Sequence, residues 1–351
     1  MGQAPAAPAG TNPPAGPAGA ERLASWSGQA VTIGDVNAAL SGLRRSEERT
    51  ATRTSVVNLV VAASDHDGAE RAQSAMRRLG HRHPGRTLAL VCQPDRPDGI
   101  DARVELHQAT AEGRAIWWEE VRLQLGGRLC HHVDSLVTPL LLDDLPVAVW
   151  YPSALPPRGD PLAAMAHAVL VDARWAGEDE DAAPDAWPAL AELGRRRPVV
   201  DLSWKRLTPW RQLLAGLFDV APFRPFGAGV TGAEVAAHAG PGRLLAGWLM
   251  DRLGLPASEV TLRRAVHAGI RLTAAADGRR AAFTVARPTD APLVAAHAEV
   301  EGGPSHREAA TLPEHGLTWS LAEALSSLHG DRVYEHAVHA GLALSRGLQE
   351  E

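Results

Sequence analysis

Val147-Ala148-Val149-Trp150 is apolar without alternation. A strand of that kind belongs inside a sheet covered on both faces, because each face of the strand must be buried. Four more stretches share this character: VVNLVVAA from Val56, RTLALVCQ from Arg86, HAVLVD from His167 and PVVDLSW from Pro198. Helix-length segments separate most of them, and parallel neighbours need such crossovers. The expected core is therefore an α/β domain with a mainly parallel, doubly wound sheet. The stretch leading into Val147 reads HHVDSLVTPLLLDDLP. Asp134 or Ser135 is the expected helix cap, Pro139 suits a first turn, and Asp143 to Pro146 turn the chain.

Around that core the pattern varies. Trp26 to Ala30 reads as a short edge strand. A helix is expected from about Val36 to Arg49, with Val36, Leu40 and Leu43 at helical spacing. AERAQSAMRRLG is a second helix, with Gly80 as its stop. Ala102 to Gln108 and Ile116 to Leu125 alternate, which predicts an antiparallel hairpin at the sheet edge. Thr208-Pro209 opens a long amphipathic helix through Phe218.

Pro222, Pro225 and Gly227 mark a boundary. We expect a disordered Ala/Pro/Gly-rich tail over 1–20, the α/β domain over 21–220, and a smaller α+β domain over 221–351. In the last, a helix from Arg243 to Leu253 precedes four strands, Val260 to Ala274, Arg279 to Ala286, Leu293 to Val300 and His306 to Thr311. Asp277-Gly278 is the clearest hairpin turn. C-terminal helices follow, the second capped by Asp331.

Composition excludes several functions. The formal net charge is −6, against the basic footprint that nucleic-acid binding needs. No apolar run reaches membrane-helix length. Two cysteines, Cys92 and Cys130, support no disulfide framework, and a reducing cytoplasm is expected. Gly227-Ala228-Gly229-Val230-Thr231-Gly232 matches G-x-G-x-x-G, but APFRPF before it is no strand, so no dinucleotide cofactor is expected. Cys130-His131-His132-Val133-Asp134 places its ligands on opposite faces, so no metal is expected there.

Lys205, the single lysine, and Arg206 precede a helix start and suit an anion. Asp201 needs a partner if buried, with Arg174 or Lys205 within reach in sequence. Trp150, Trp204 and Trp210 are expected to cluster at the strand ends.

Taken together, Thr54-Ser55-Val56-Val57-Asn58-Leu59-Val60, HVDSLVTPLLLDDLPVAVWYP, HAVLVDAR and VVDLSWKRLTPWRQLLAGLFD resemble the OpcA family, the glucose-6-phosphate dehydrogenase assembly proteins. The resemblance runs in order from about residue 50 to 220. It implies a non-enzymatic activator that binds the dehydrogenase, without catalytic residues of its own, serving the oxidative pentose phosphate pathway. Trp150, Tyr151, Trp204, Lys205, Arg206 and Trp210 are the expected contact surface. The rival expectation is an enzyme or sensor taking a sugar phosphate or nucleotide in a pocket lined by Arg53, Lys205 and Arg206.

Overall fold

The continuous apolar runs form the interior of one sheet. The computed structural model describes residues 21–46, 55–80, 82–111, 114–176, 186–288, 291–312 and 316–346; the expected tail and Arg53 lie outside them. In order come β1 (Glu21–Gly28), α1 (Ile33–Ser46), β2 (Val57–Ala63), α2 (His66–Leu79), β3 (Gly85–Gln93), β4 (Gly99–Ala111), β5 (Arg114–Gly126), α3 (Val133–Val137), β6 (Val147–Trp150), α4 (Pro161–Met165), β7 (Ala168–Val171), α5 (Ala186–Arg196) and β8 (Val199–Asp201). The strands make an eight-stranded sheet in the order β1-β4-β5-β3-β2-β6-β7-β8. From β5 to β8 all neighbours are parallel; β4–β5 and β1–β4 are antiparallel. The hairpin lies at that side of the sheet, with β1 paired outside it.

The second sheet follows α6 (Leu202–Arg206) and α7 (Thr208–Asp219). Its elements are β9 (Val230–Ala237), α8 (Ala239–Leu253), β10 (Val260–Arg264), β11 (Gly269–Ala276), β12 (Arg279–Ala286), β13 (Leu293–Val300) and β14 (Ser305–Thr311), then α9 (Leu317–Ser326) and α10 (Arg332–Gly341). The order is β10-β9-β11-β12-β13-β14, antiparallel except for β10–β9. Asp277 and Gly278 both have positive φ, 51° and 72°, as a type I′ hairpin turn requires.

The sequence reading differs from this in several places. β9 was not expected: the glycine-rich stretch runs straight into it. Val260 to Ala274 is two strands, not one. The PVVDLSW strand ends at Asp201, whose carboxylate accepts from Ser203 and Trp204 backbone N–H groups and starts α6. Finally, neither Asp134 nor Ser135 caps α3; both lie inside it, after His132, and Pro139 sits in the following 3₁₀ turn.

Gly80 does end α2, but with φ −53° it is not a left-handed cap. A side chain there would run into the Trp118 ring.

The C-terminal helices return to the first sheet. Leu321, Ala324 and Leu325 of α9 are buried with Leu59, Trp150 and Leu170 on the face that α2 also covers. Each buried leucine contributes about 1.5–3 kcal/mol. The opposite face is closed by α1, α4 and α5, in a cluster continuous with the second sheet's Leu272, Phe283 and Val294.

Candidate functional site

The aromatic residues expected at the surface are core residues. Trp150, Tyr151, Trp204 and Trp210 are 1%, 5%, 2% and 8% exposed. Trp150 packs on the face that α2 and α9 cover, whereas Trp204 and Trp210 belong to the other cluster, so the three do not gather. Alternation along β6 also sends Tyr151 to the face opposite Trp150. Most of their polar edges are used internally. Tyr151 Oη donates to Asp160 Oδ1 at 2.6 Å, Trp204 Nε1 to Asp331 Oδ2 at 2.7 Å and Trp210 Nε1 to the Ala268 carbonyl at 3.1 Å. These residues offer no surface to a partner in this structure. At the β2–β6 switch point α2 approaches the segment after β6 closely: a side chain at Gly68 would fall on the Ser153 hydroxyl.

Arg206 is also occupied. Its Nη2 donates to both Asp172 oxygens, at 2.6 and 2.8 Å, and to Ser203 Oγ. Arg174 meets Asp172 from the other side at 2.8 Å. Among the described residues of the expected anion pocket the one guanidinium, that of Arg206, is therefore already paired, and Lys205 stands half-buried beside it.

Asp201 pairs with neither Arg174 nor Lys205. Its Oδ1 accepts from the Ala173, Ser203 and Trp204 N–H groups, and its Oδ2 from Tyr334 Oη at 3.1 Å. Burial, with the Asp172 charge added, pushes its carboxyl up to about 7. The Arg211 guanidinium lies 3.5 Å from the Trp204 ring centroid. This set of contacts is a latch holding α10 to the carboxyl ends of β7 and β8.

A second polar cluster lies under α2. Alternation puts Arg103, Glu105 and His107 of β4 on one face with Trp118, Glu120 and Arg122 of β5. The register sets Glu105 opposite Glu120 and Arg103 opposite Arg122. Like charges directly opposite destabilise a sheet. Glu70, Gln73 and Arg77 of α2 and Arg22 of β1 complete a cavity of about 430 Å³. Glu105, His107 and Glu120 are 5%, 5% and 2% exposed.

His107 Nε2 lies 3.4 Å from Glu105 Oε2 and 3.6 Å from Glu120 Oε2. These are too long for firm hydrogen bonds. His107 Nε2 and Glu120 Oε1 are buried without a hydrogen-bond partner, as is Arg122 Nε. The imidazole stacks on Trp118, with ring centroids 5.4 Å apart. Burial pushes Glu120 up to about 7 and draws the His107 imidazole down from its ordinary value. Burial also pushes on Glu105, but hydrogen bonds from Arg22 and Arg103 outweigh it and hold that carboxyl below its ordinary value. Sequence reasoning missed this cluster. Its signal was the charged alternation at 103, 105 and 107, which reads as a solvated strand face until α2 is known to cover it.

Comparison with known proteins assigns both halves of the chain. Residues 76–186 match the family profile described as the glucose-6-phosphate dehydrogenase subunit N-terminal domain, and residues 197–338 match its C-terminal domain. Among curated proteins, a relative from Nostoc punctiforme is 26% identical over 181 residues, 49% of this chain and 38% of its own length. One from Synechocystis sp. is 25% identical over 143 residues, 39% of this chain and 30% of its own length. Both are named OpcA, provisionally as OxPP cycle proteins. The matched stretches thus span well under half of those relatives. The first profile takes in the Glu105–His107–Glu120 cluster, and the second takes in Asp201 and Tyr334. The chain belongs to the OpcA family of glucose-6-phosphate dehydrogenase assembly proteins.

Proposed function

We propose that this protein is a non-catalytic assembly factor and allosteric activator of glucose-6-phosphate dehydrogenase, acting in the cytoplasm to feed the oxidative pentose phosphate pathway. The observation that carries the reading is the family match over both halves of the chain, in order. Two further observations agree with it. Among the described residues no helix is long and apolar enough to cross a membrane. Beyond the carboxyl ends of β7 and β8, Asp172, Asp201 and Arg206 are paired within the protein.

The physical mechanism is linkage. A partner that binds the active dehydrogenase better than the inactive form shifts the population by that difference. A coupling of about 1–3 kcal/mol corresponds to roughly 5- to 150-fold. For the contact we retain Lys205, the half-buried cation of α6. Arg206 is paired with Asp172, so its reversal would leave that buried carboxylate short of a partner and would probe folding instead.

The test mixes the pure chain with the dehydrogenase from the same source. Activity and molar mass by light scattering are followed together. Rising activity, a heavier dehydrogenase assembly and no turnover by the chain alone support the reading. Unchanged activity and mass at saturating chain overturn it. A folded Lys205→Glu variant that activates fully removes that surface.

A further inference from the structure

Buried polar atoms without partners are uncommon in folded proteins, and each calls for an explanation. Two of them that can act as ligand atoms, His107 Nε2 and Glu120 Oε1, line one cavity under α2; Arg122 Nε, also unpartnered there, is a donor and no ligand. We propose that Glu105, His107 and Glu120 form a binding site for a divalent transition-metal ion of the zinc class.

Geometry carries the assignment. A tetrahedral ion with bonds of about 2.0–2.1 Å holds its ligand atoms about 3.3–3.4 Å apart. The His107 nitrogen stands 3.4 and 3.6 Å from one oxygen of each glutamate. One potential ligand atom from each of the three residues lies within 4.8 Å of the others. Those separations are too long for good hydrogen bonds between the groups and close to the edges of a coordination tetrahedron.

The surroundings orient the set. Arg22 and Arg103 donate to Glu105 Oε1 at 3.0 and 2.8 Å, which leaves Oε2 facing His107. Such outer partners fix the direction of ligating carboxylates. Trp118 fixes the imidazole plane by stacking, and Gly80 gives that indole room against α2. The directly opposed glutamates, which Arg22, Arg103 and Arg77 offset in part, become the two anionic ligands of one ion. An imidazole beside two carboxylates suits zinc, manganese or iron better than magnesium or calcium, which favour oxygen alone.

A cation already stands at the mouth. Arg77 places Nε 3.3 Å from Glu120 Oε2 and Nη2 3.6 Å from Glu105 Oε2, the same oxygens that face His107. Its side chain is 48% exposed, so it can swing into solvent. In the metal-free protein it partly neutralises the pair, and in the loaded protein the ion takes that role.

The experiment uses the full chain, untagged and stripped with chelator. Zinc is titrated by calorimetry, and cobalt(II) serves as a probe through its visible absorption. One equivalent is expected, with a higher melting temperature and the intense cobalt bands of a tetrahedral site. Glu120→Gln and His107→Gln should each weaken binding at least tenfold. Arg77→Ala should tighten it several-fold, an effect that a merely structural role would not produce. Cys92→Ser with Cys130→Ser should change nothing. Absence of binding by the wild type, equal binding by the two ligand variants, or loss in the cysteine variant overturns the site. Stabilisation by inorganic phosphate with none by zinc also overturns it and makes the cavity an anion site.

Discussion

Tyr334 Oη donates a hydrogen bond of 3.1 Å to Asp201 Oδ2, joining residues 133 positions apart. Asp201 closes the last strand of the first sheet, and Tyr334 stands in the last α-helix. Beside them Asp331 both caps α10, accepting from Val333 and Tyr334 N–H groups, and accepts from Trp204 Nε1. Trp204 and Tyr334 pack with ring centroids 5.8 Å apart. The carboxyl ends of β7 and β8, beside the β2–β6 switch point in the sheet order, thus bind the protein's own C-terminal helix.

Tyr334→Phe tests the latch. All three amide donors to Asp201 point at Oδ1, so the variant leaves Oδ2 buried without the tyrosine donor. At pH 8, above the raised value of about 7, the carboxylate is charged, and a hydrogen bond to a charged group is worth about 1.5–3 kcal/mol. A loss of that size is expected in denaturant unfolding, with faster amide exchange across α10. Unchanged stability and exchange would show that α10 is held by packing alone.

Asp201 also predicts a pH dependence. Its carboxyl is raised from 3.8 to about 7 by burial and the neighbouring Asp172. Between those values the folded protein keeps a proton that the unfolded chain releases. Unfolding then releases a proton and is favoured by raising the pH. The contribution is fully present below about pH 4 and is lost as pH climbs through 7, by roughly 4 kcal/mol at most. Asp201→Asn keeps an oxygen for the amides and does not titrate. The stability of wild type relative to this variant should therefore fall from pH 4 to 7. A flat difference over that window would refute the assignment.

How much was legible in the sequence follows from what burial does to a strand. β2, β3, β6 and β7 are covered on both faces, so nearly every residue is apolar and the run is plain. β9 was invisible because VTGAEVAA is built from small residues, with Gly229 and Gly232 inside a motif that drew attention elsewhere. Asp201 was legible as a buried acid, but its partners are backbone amides and a tyrosine 133 positions away, which local reading does not reach. The tryptophans carried both a core and a surface meaning, and only the placement of α9 and α10 decides between them. The Glu105–His107–Glu120 cluster needed three facts together: the hairpin register, the position of α2 and the strand β1 outside the hairpin.

Cys92 is expected to be unreactive. Its thiol is pushed up to about 12, by burial first and then by Cys130 and Asp160 nearby. The thiolate is the nucleophile. A rise from 9 to 12 leaves about a thousandfold less of it at neutral pH. Iodoacetamide at pH 8 should label Cys92 at least a hundredfold more slowly than a free cysteine peptide, as read by mass spectrometry of the intact folded protein. Labelling at the peptide's rate would mean that the pocket around Cys92 opens.

Gly247→Ala separates helix propensity from helix contact. Within an exposed helix, replacing glycine by alanine stabilises by about 1 kcal/mol. Gly247, however, lies where α8 crosses α10, and a side chain there would meet the Ala337 carbonyl and, at 2.8 Å, the Gly341 nitrogen. Both contacts are backbone, so neither can turn aside as a side chain would. Overpacking of this kind costs about 1–3 kcal/mol, enough to outweigh the propensity gain. The variant should unfold at lower denaturant with an unchanged slope, and α10 should exchange its amides faster. A more stable protein would mean that α8 and α10 have slack at the crossing and that the latch at Asp201, not this contact, sets the position of the C-terminal helix.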